Sequence, residues 1–155
     1  MYVYDCNAIL TTAMKNISDK DMIRAFTSLT EYLKSQGFNP GFNFMDNEAS
    51  TALNTTMTSI NIKYQLVTPS NHISKNAERV IQKSNIHFIA GLCSVENDFH
   101  IKLWEKSLHN ATISINLIRQ SRNLTHISAY THIFREFDFN CTPDRVQDSY
   151  EEQEF

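Results

Sequence analysis

"SDKDMIRAFTSLTEYLKSQGFNPGFNFMD", residues 18–46, decides the fold. Met22, Phe26, Leu29 and Leu33 recur at helical spacing and put one apolar stripe on a helix running from Ser18 to about Ser35. Ser18 or Asp19 can cap its start, because a short polar side chain accepts from the first free backbone N–H groups. Gly37 stops it and Asn39-Pro40 confirms the break. "GFNFM" then reads as a short strand ending at Asp46. A long amphipathic helix feeding a short strand is the unit of an α/β fold.

The same alternation extends in both directions. Upstream, "MYVYDCNAILTTAMK" carries β-favouring residues on both sides of "DCN" and predicts two short strands joined by a turn at Asp5 to Asn7. Met1 falls inside the first strand pattern, which leads to the expectation that a segment of the domain is missing before it. Downstream, Ala49, Leu53, Met57 and Ile60 share one face of a helix from about Glu48 to Ile60. "KYQLV" is another strand, closed by Pro69. A long helix follows over about Lys75 to Leu92, with Ala77, Val80, Ile81, Ser84 and Phe88 as its inner face. Another spans about Ile101 to Arg119 and presents Ile101, Trp104, Leu108, Ala111, Ile115 and Ile118. A last short helix covers Ser128 to Phe137. The predicted order is ββ-α-β-α-β-α-α-α, without repeats or an internal linker, and implies a sheet with helices on its faces.

Composition agrees with one folded domain. The chain of 155 residues is 41% hydrophobic and carries ten Phe, six Tyr and one Trp, too much apolar surface for a disordered chain. Only three Gly and three Pro exclude a collagen-like or loop-rich chain. No apolar run approaches the roughly 20 residues of a membrane-spanning helix, and no membrane partner is expected. Cys6, Cys93 and Cys141 are far apart and form no CxxC pair, so reduced thiols in a cytoplasmic or nuclear setting are expected, not a zinc knuckle. The six histidines have no cysteine at ligand spacing and read as polar surface or core residues. The net charge of -3 is concentrated: residues 144–155 carry a balance of -4, so "DRVQDSYEEQEF" is expected to be a disordered acidic tail behind a nearly neutral domain of residues 1–143.

Chemistry points to two carboxylates. Asp46 ends a strand, and Glu78 lies at the start of the helix after the neighbouring strand. Sites in α/β sheets form where the carboxyl ends of strands meet loops and helix starts. Carboxylates from those two places can hold Mg²⁺, which keeps its other positions for water and phosphate oxygens. Lys75, Arg79 and Lys83 form a basic stripe beside Glu78 that could neutralise a nucleic-acid backbone. On spacing alone the same residues also suit a structural role: Asp46 as a helix cap, Glu78 favouring the macrodipole, and the cations as a solvated face.

A resemblance favours the functional reading. "MDNEASTAL", then "YQLVTPSNHISKNAERVIQKSNIHFIAGLCS", then "LWEKSL" and "FDFNCTP" resemble the integrase of copia-type LTR retrotransposons, over nearly all of residues 1–143. The resemblance implies a ribonuclease H-like mixed sheet flanked by helices. It also implies an Asp, Asp, Glu triad holding two Mg²⁺ or Mn²⁺ ions, which trims and joins DNA ends, with DNA and further copies of the chain as partners. Asp46-Asn47 matches the second motif and Asn76 to Arg79 the "NAER" motif. Asp46 and Glu78, 32 positions apart, therefore take the second and third acids. Asn76 would orient the metal site or DNA, with Lys75, Arg79 and Lys83 on phosphates.

The first acid is open. Asp5 lies where the family's second strand turns, and the catalytic Asp belongs on the strand before it; alternatively Asp5 substitutes for it. Measured against the family, the expectation is that the upstream zinc domain is missing and that the acidic tail stands in place of the usual continuation. The expectation is therefore an integrase core trimmed at both ends, lacking its first strand and inactive as it stands. The other reading is a remnant that binds DNA or self-associates without chemistry.

Overall fold

The computed structural model describes residues 1–46, 50–67, 72–94, 100 and 103–139, with Asp46 and residues 72–74 described by their backbone alone. The elements follow the expected order. β1 (Tyr2–Val3) and β2 (Ala8–Ile9) come first, then α1 (Asp19–Ser35), β3 (Phe42–Asp46), α2 (Thr51–Ser59) and β4 (Lys63–Val67). α3 (His72–Cys93), α4 (Trp104–Ile118) and α5 (Ala129–Phe134) complete them. The fold is mixed α/β, as expected, but the described strands form two separate pairs. β1 and β2 are an antiparallel hairpin, and β3 and β4 are parallel, with Phe42 opposite Lys63 and Asp46 opposite Val67. Met1 extends the hairpin: it donates to Leu10 O at 2.7 Å and accepts from Leu10 N at 2.9 Å.

α1 joins the two halves. Ser18 caps it, accepting from Asp21 N at 3.2 Å, so Ser18 and not Asp19 is the cap. The predicted stripe faces inward, with Leu33 buried and Met22, Phe26 and Leu29 half-buried, and it is shared. Met22, Ile23 and Phe26 pack on a cluster of Leu53, Met57 and Ile62, beside Met45 of β3. Further along the helix, Leu33 lies in a second cluster with Cys6, Ala8, Leu10, Ala129 and Ile133, which Leu29 and Tyr32 flank.

Two matching helix ends set the strands. After α1, Gly37 N–H donates to Lys34 O and Phe38 N–H to Leu33 O, both at 3.0 Å, and Gly37 has φ 86°. This is the Schellman arrangement, which needs a left-handed residue just past the helix. After α2, Asn61 N–H donates to Thr58 O and Ile62 N–H to Met57 O, with Asn61 at φ 59°. Each motif turns an apolar residue back onto its own helix, Phe38 toward Leu33 and Ile62 toward Met57, and sends the chain into β3 or β4.

The outer edge of β2 is closed by a side chain. Asn116 of α4 is fully buried, accepts from Ile9 N at 2.8 Å and donates to Ile9 O at 2.7 Å, imitating a neighbouring strand. By contrast, no described strand pairs with the far edges of β1 or β3. Phe42, Phe44, Tyr64 and Leu66 of the parallel pair are exposed, although parallel sheets normally bury both faces.

Several boundaries and faces differ from the sequence reading. α2 begins at Thr51, capped by Ser50, and Ala49 lies outside the described residues. α3 begins at His72 rather than Lys75. Ala77, Val80, Ser84 and Phe88 are half-buried as expected, but Ile81 is exposed on the rim of that stripe. In α4, Ile115 is buried and Leu108 and Ala111 half-buried, whereas terminal Ile118 is exposed; Ile101 lies outside the described residues. α5 stops at Phe134, where Arg135 turns the chain at φ 75°. The acidic tail falls outside the described residues. Among the described residues no helix is long and apolar enough to cross a membrane.

Two outcomes test this packing. Replacing Asn116 by Leu leaves the buried N–H and C=O of Ile9 unpaired, which costs about 2–4 kcal/mol. The variant should melt roughly 5–10 °C lower, as read by circular dichroism. Separately, burial and then the nearby Asp5 carboxylate push the Cys6 thiol up to about 11, while Cys93 is exposed. In a Cys141→Ser background, maleimide should label Cys93 promptly in the native protein and Cys6 only after unfolding.

Candidate nucleic-acid and metal site

The carboxyl ends of β3 and β4 lie side by side, with Asp46 opposite Val67. Residues 68–71 then lead from β4 to the first residue of α3. The backbone thus brings a strand-terminal Asp and the beginning of a long helix to one end of the parallel pair. Parallel strands run their chain ends in the same direction, which is why both connections emerge there. The side chain of Asp46 and the loop before α3 lie outside the described residues, so the expected approach of the Asp46 and Glu78 carboxylates falls outside them too.

Glu78 is placed differently from the expectation. Because α3 begins at His72, Glu78 sits at the end of the second helical turn and not in the first. It is beyond the reach of the macrodipole, which fades within the first turn. A purely helix-stabilising role for this acid therefore loses its basis. Glu78 is exposed, as are Lys75, Asn76, Arg79 and Lys83, so the helix presents all five to solvent along one flank. Among the described residues the only ion pair is Arg24 with Asp21 at 3.6 Å. Among the described residues, then, neither Glu78 nor any other carboxylate forms an ion pair with the three cations of α3.

The inner flank of α3 explains why these residues face outward. Its half-buried side chains pack on α4, and His87 Nε2 lies 3.1 Å from Ser114 Oγ across that contact. His132 is similarly engaged, its Nδ1 2.7 Å from Ser121 Oγ, with its ring against Phe38. These two histidines serve packing, as their sequence context suggested. No group of three His, Cys, Asp or Glu able to hold a metal occurs among the described residues. Asp5 lies in the exposed turn between β1 and β2, in agreement with its reading as a turn residue.

A second cationic group was missed in the sequence. Arg119 donates from Nε to Asn7 O at 2.7 Å and from Nη2 to Asn7 Oδ1, and Asn7 sits at φ 57° in the hairpin turn. Arg122 donates to Tyr4 O at 3.2 Å and to Tyr2 Oη at 3.0 Å. Its guanidinium lies over the Tyr4 ring, 3.8 Å from the centroid. The paired aromatics of "YVYD" and the Arg spacing of "RQSR" were the available signals, more than a hundred residues apart.

No protein-family model matches the chain, and no curated protein is significantly similar to it. Solved structures are similar in fold. The catalytic core domain of BIV integrase superposes with a TM-score of 0.62 at 13% identity, covering 96% of this chain and 86% of that one. A chain from the simian T-cell lymphotropic virus intasome, in complex with PP2A regulatory subunit B56 gamma, gives 0.60 at 17% identity. There the match covers 89% of this chain and 48% of that one. The architecture of retroviral integrase cores, which is ribonuclease H-like, is thus shared over almost the entire chain.

Exposure of Glu78 separates function from stability. Glu78→Gln should leave the unfolding free energy within about 0.5 kcal/mol of the parent, as expected for a surface position with no ion pair. Denaturant titration checks this, and a large loss would mean that Glu78 has a structural partner.

Proposed function

We propose that this chain is an integrase-like core of the copia retrotransposon kind that contacts DNA through α3, with open edges on β1 and β3 at which the family's first strand, bearing the first acid needed for strand transfer, would pair. The observation that carries the proposal is the fold likeness over 96% of the chain. The split of the strands supports the open-edge part. β1 and β3 each have an edge without a described strand partner, and one strand pairing with both would join the hairpin and the parallel pair into a single mixed sheet. The same strand would lie beside the exposed Phe42 and Phe44 of β3.

Asp46 and Glu78 are the residues that would hold Mg²⁺ or Mn²⁺, since two carboxylates suit one hard cation that retains water and phosphate oxygens. When bound, the ion supplies charge stabilisation at a phosphodiester oxygen. Two carboxylates do not supply the bridging ligand for a second ion, so no joining reaction is assigned to this chain. Its own residues do simpler work. Lys75, Arg79 and Lys83 neutralise phosphates, and Asn76 offers a neutral donor and acceptor between them. Association of several copies belongs to the same reading, and the intasome likeness supports it.

The test uses purified protein, Mn²⁺ and a labelled duplex mimicking an element end. The expected result is salt-sensitive duplex binding without joined product. Changing Lys75, Arg79 and Lys83 together to Gln should flatten the dependence of log K on log salt by up to about three contacts' worth, close to 0.9 per phosphate. Joining that disappears with Asp5→Asn would identify Asp5 as the first acid and overturn the reading that places this acid on a further strand. Joining that survives Glu78→Gln would overturn the metal site.

A further inference from the structure

We propose that the Arg119–Arg122 face is a second nucleic-acid surface, one that takes a single strand by stacking a base on Arg122 and pairing an adjacent phosphate with the free donors of its guanidinium. It lies on the β1–β2 turn and the segment after α4, not on α3, and does not rest on the α3 reading.

Three observations carry it. First, the two arginines are held by neutral groups. Arg119 is fixed by Asn7, and Arg122 by the Tyr4 carbonyl and the Tyr2 hydroxyl. The only described ion pair is elsewhere, so neither positive charge is cancelled by direct contact with a described carboxylate. Holding a cation with neutral partners removes side-chain entropy from later binding while keeping the charge. Asp5 lies in the same turn and offsets one charge, so the patch is weakly cationic and favours a ligand that offers more than charge.

Second, Arg122 forms a stack that is open on one side. Its guanidinium lies 3.8 Å from the Tyr4 centroid, the residue is exposed, and no other described ring covers its outer face. A nucleobase is a planar group able to continue such a stack, and guanidinium planes serve this purpose in single-strand recognition. A base within a duplex is already stacked on both faces, which selects for an unpaired strand.

Third, the donors of Arg122 are only partly used. A guanidinium carries five N–H donors, and described residues engage two of them, one on Tyr4 O and one on Tyr2 Oη. The remainder can meet a phosphate oxygen while the stack is preserved.

The experiment measures fluorescence anisotropy of full-length protein with three labelled probes: a dT oligonucleotide, an abasic oligomer of equal length, and a duplex. Wild type should bind the dT strand several-fold more tightly than the abasic strand. Arg122→Gln should abolish that preference, weaken dT binding at least five-fold and reduce the salt slope by about one. Arg122→Lys should restore the slope but not the preference, because ammonium has no planar face. The α3 triple variant should retain the preference, so failure of the α3 site and failure of this one remain distinguishable. Equal wild-type binding to dT and abasic strands overturns the proposal, as does unchanged dT binding by an Arg122→Gln protein with the parental melting curve. Should Arg122→Gln not fold, the wild-type Arg122 Nε–H resonance provides the reading: it should shift on titration with a dT tetranucleotide, and an unmoved resonance overturns the proposal.

Discussion

The structure depends on one shared helix face. The stripe on α1 serves two clusters, with Met22, Ile23 and Phe26 over α2 and the parallel strands, and Leu29, Tyr32 and Leu33 over the hairpin and α5. Each buried large apolar side chain contributes roughly 1.5–3 kcal/mol, so neither half is held by many such groups of its own. The two strand pairs are not joined to each other by described hydrogen bonds. Continuity between them therefore rests largely on side-chain packing along α1. A polar substitution in the middle of that stripe would act on both halves together, because both clusters use the same rigid rod.

Around this rod, helix ends and sheet edges are finished by specific groups. Gly37 and Asn61 adopt left-handed conformations that let each preceding helix bind its own terminal carbonyls. Asn116 provides the edge of β2 with a side-chain substitute for a strand. These devices consume backbone groups that would otherwise be unpaired. The far edges of β1 and β3 receive no comparable treatment from described residues. An edge that is neither paired nor blocked invites another strand. This is why the separation into two pairs bears on function as well as on architecture.

Local features were legible in the sequence, and distant pairings were not. The α1 stripe, its cap at Ser18 or Asp19, the Gly37 stop and the β-turn at Asp5 to Asn7 all depend on residues within a few positions of each other. They emerged with the correct element order. The start of α3 was placed too late because His72, Ile73 and Ser74 follow Pro69 and read as loop, although a proline disfavours helix chiefly at the residue before it. Ile81 and Ile118 read as inward from sequence because hydrophobicity alone does not settle which rim of a helix is covered. Asn116 was invisible for the opposite reason: an amide in a helix reads as surface, and its partner Ile9 is 107 positions away. The Arg122–Tyr2 contact spans 120 positions and escaped for the same cause.

The position of Glu78 bears on why an acid sits among bases. An acid in the first helical turn is explained by the macrodipole, and an acid flanked by bases is explained by ion pairing. Here the helix begins at His72, so the acid lies past its first turn, and no described ion pair involves the acid. Both ordinary explanations for a carboxylate among Lys75, Arg79 and Lys83 are thereby weakened. What remains is an exposed carboxylate and three exposed cations on one flank, on a helix whose first residue follows closely on the strand beside Asp46. Opposite charges near each other and without a described ion pair would suit a composite ligand, a phosphate chain carrying a divalent ion. Under the proposed function the cations would meet the chain and the carboxylate the ion, so the two kinds of charge would not compete. Arg119 and Arg122 follow a different logic: neutral groups hold them, and the planar stack on Tyr4 supplies the selectivity that their small net charge does not.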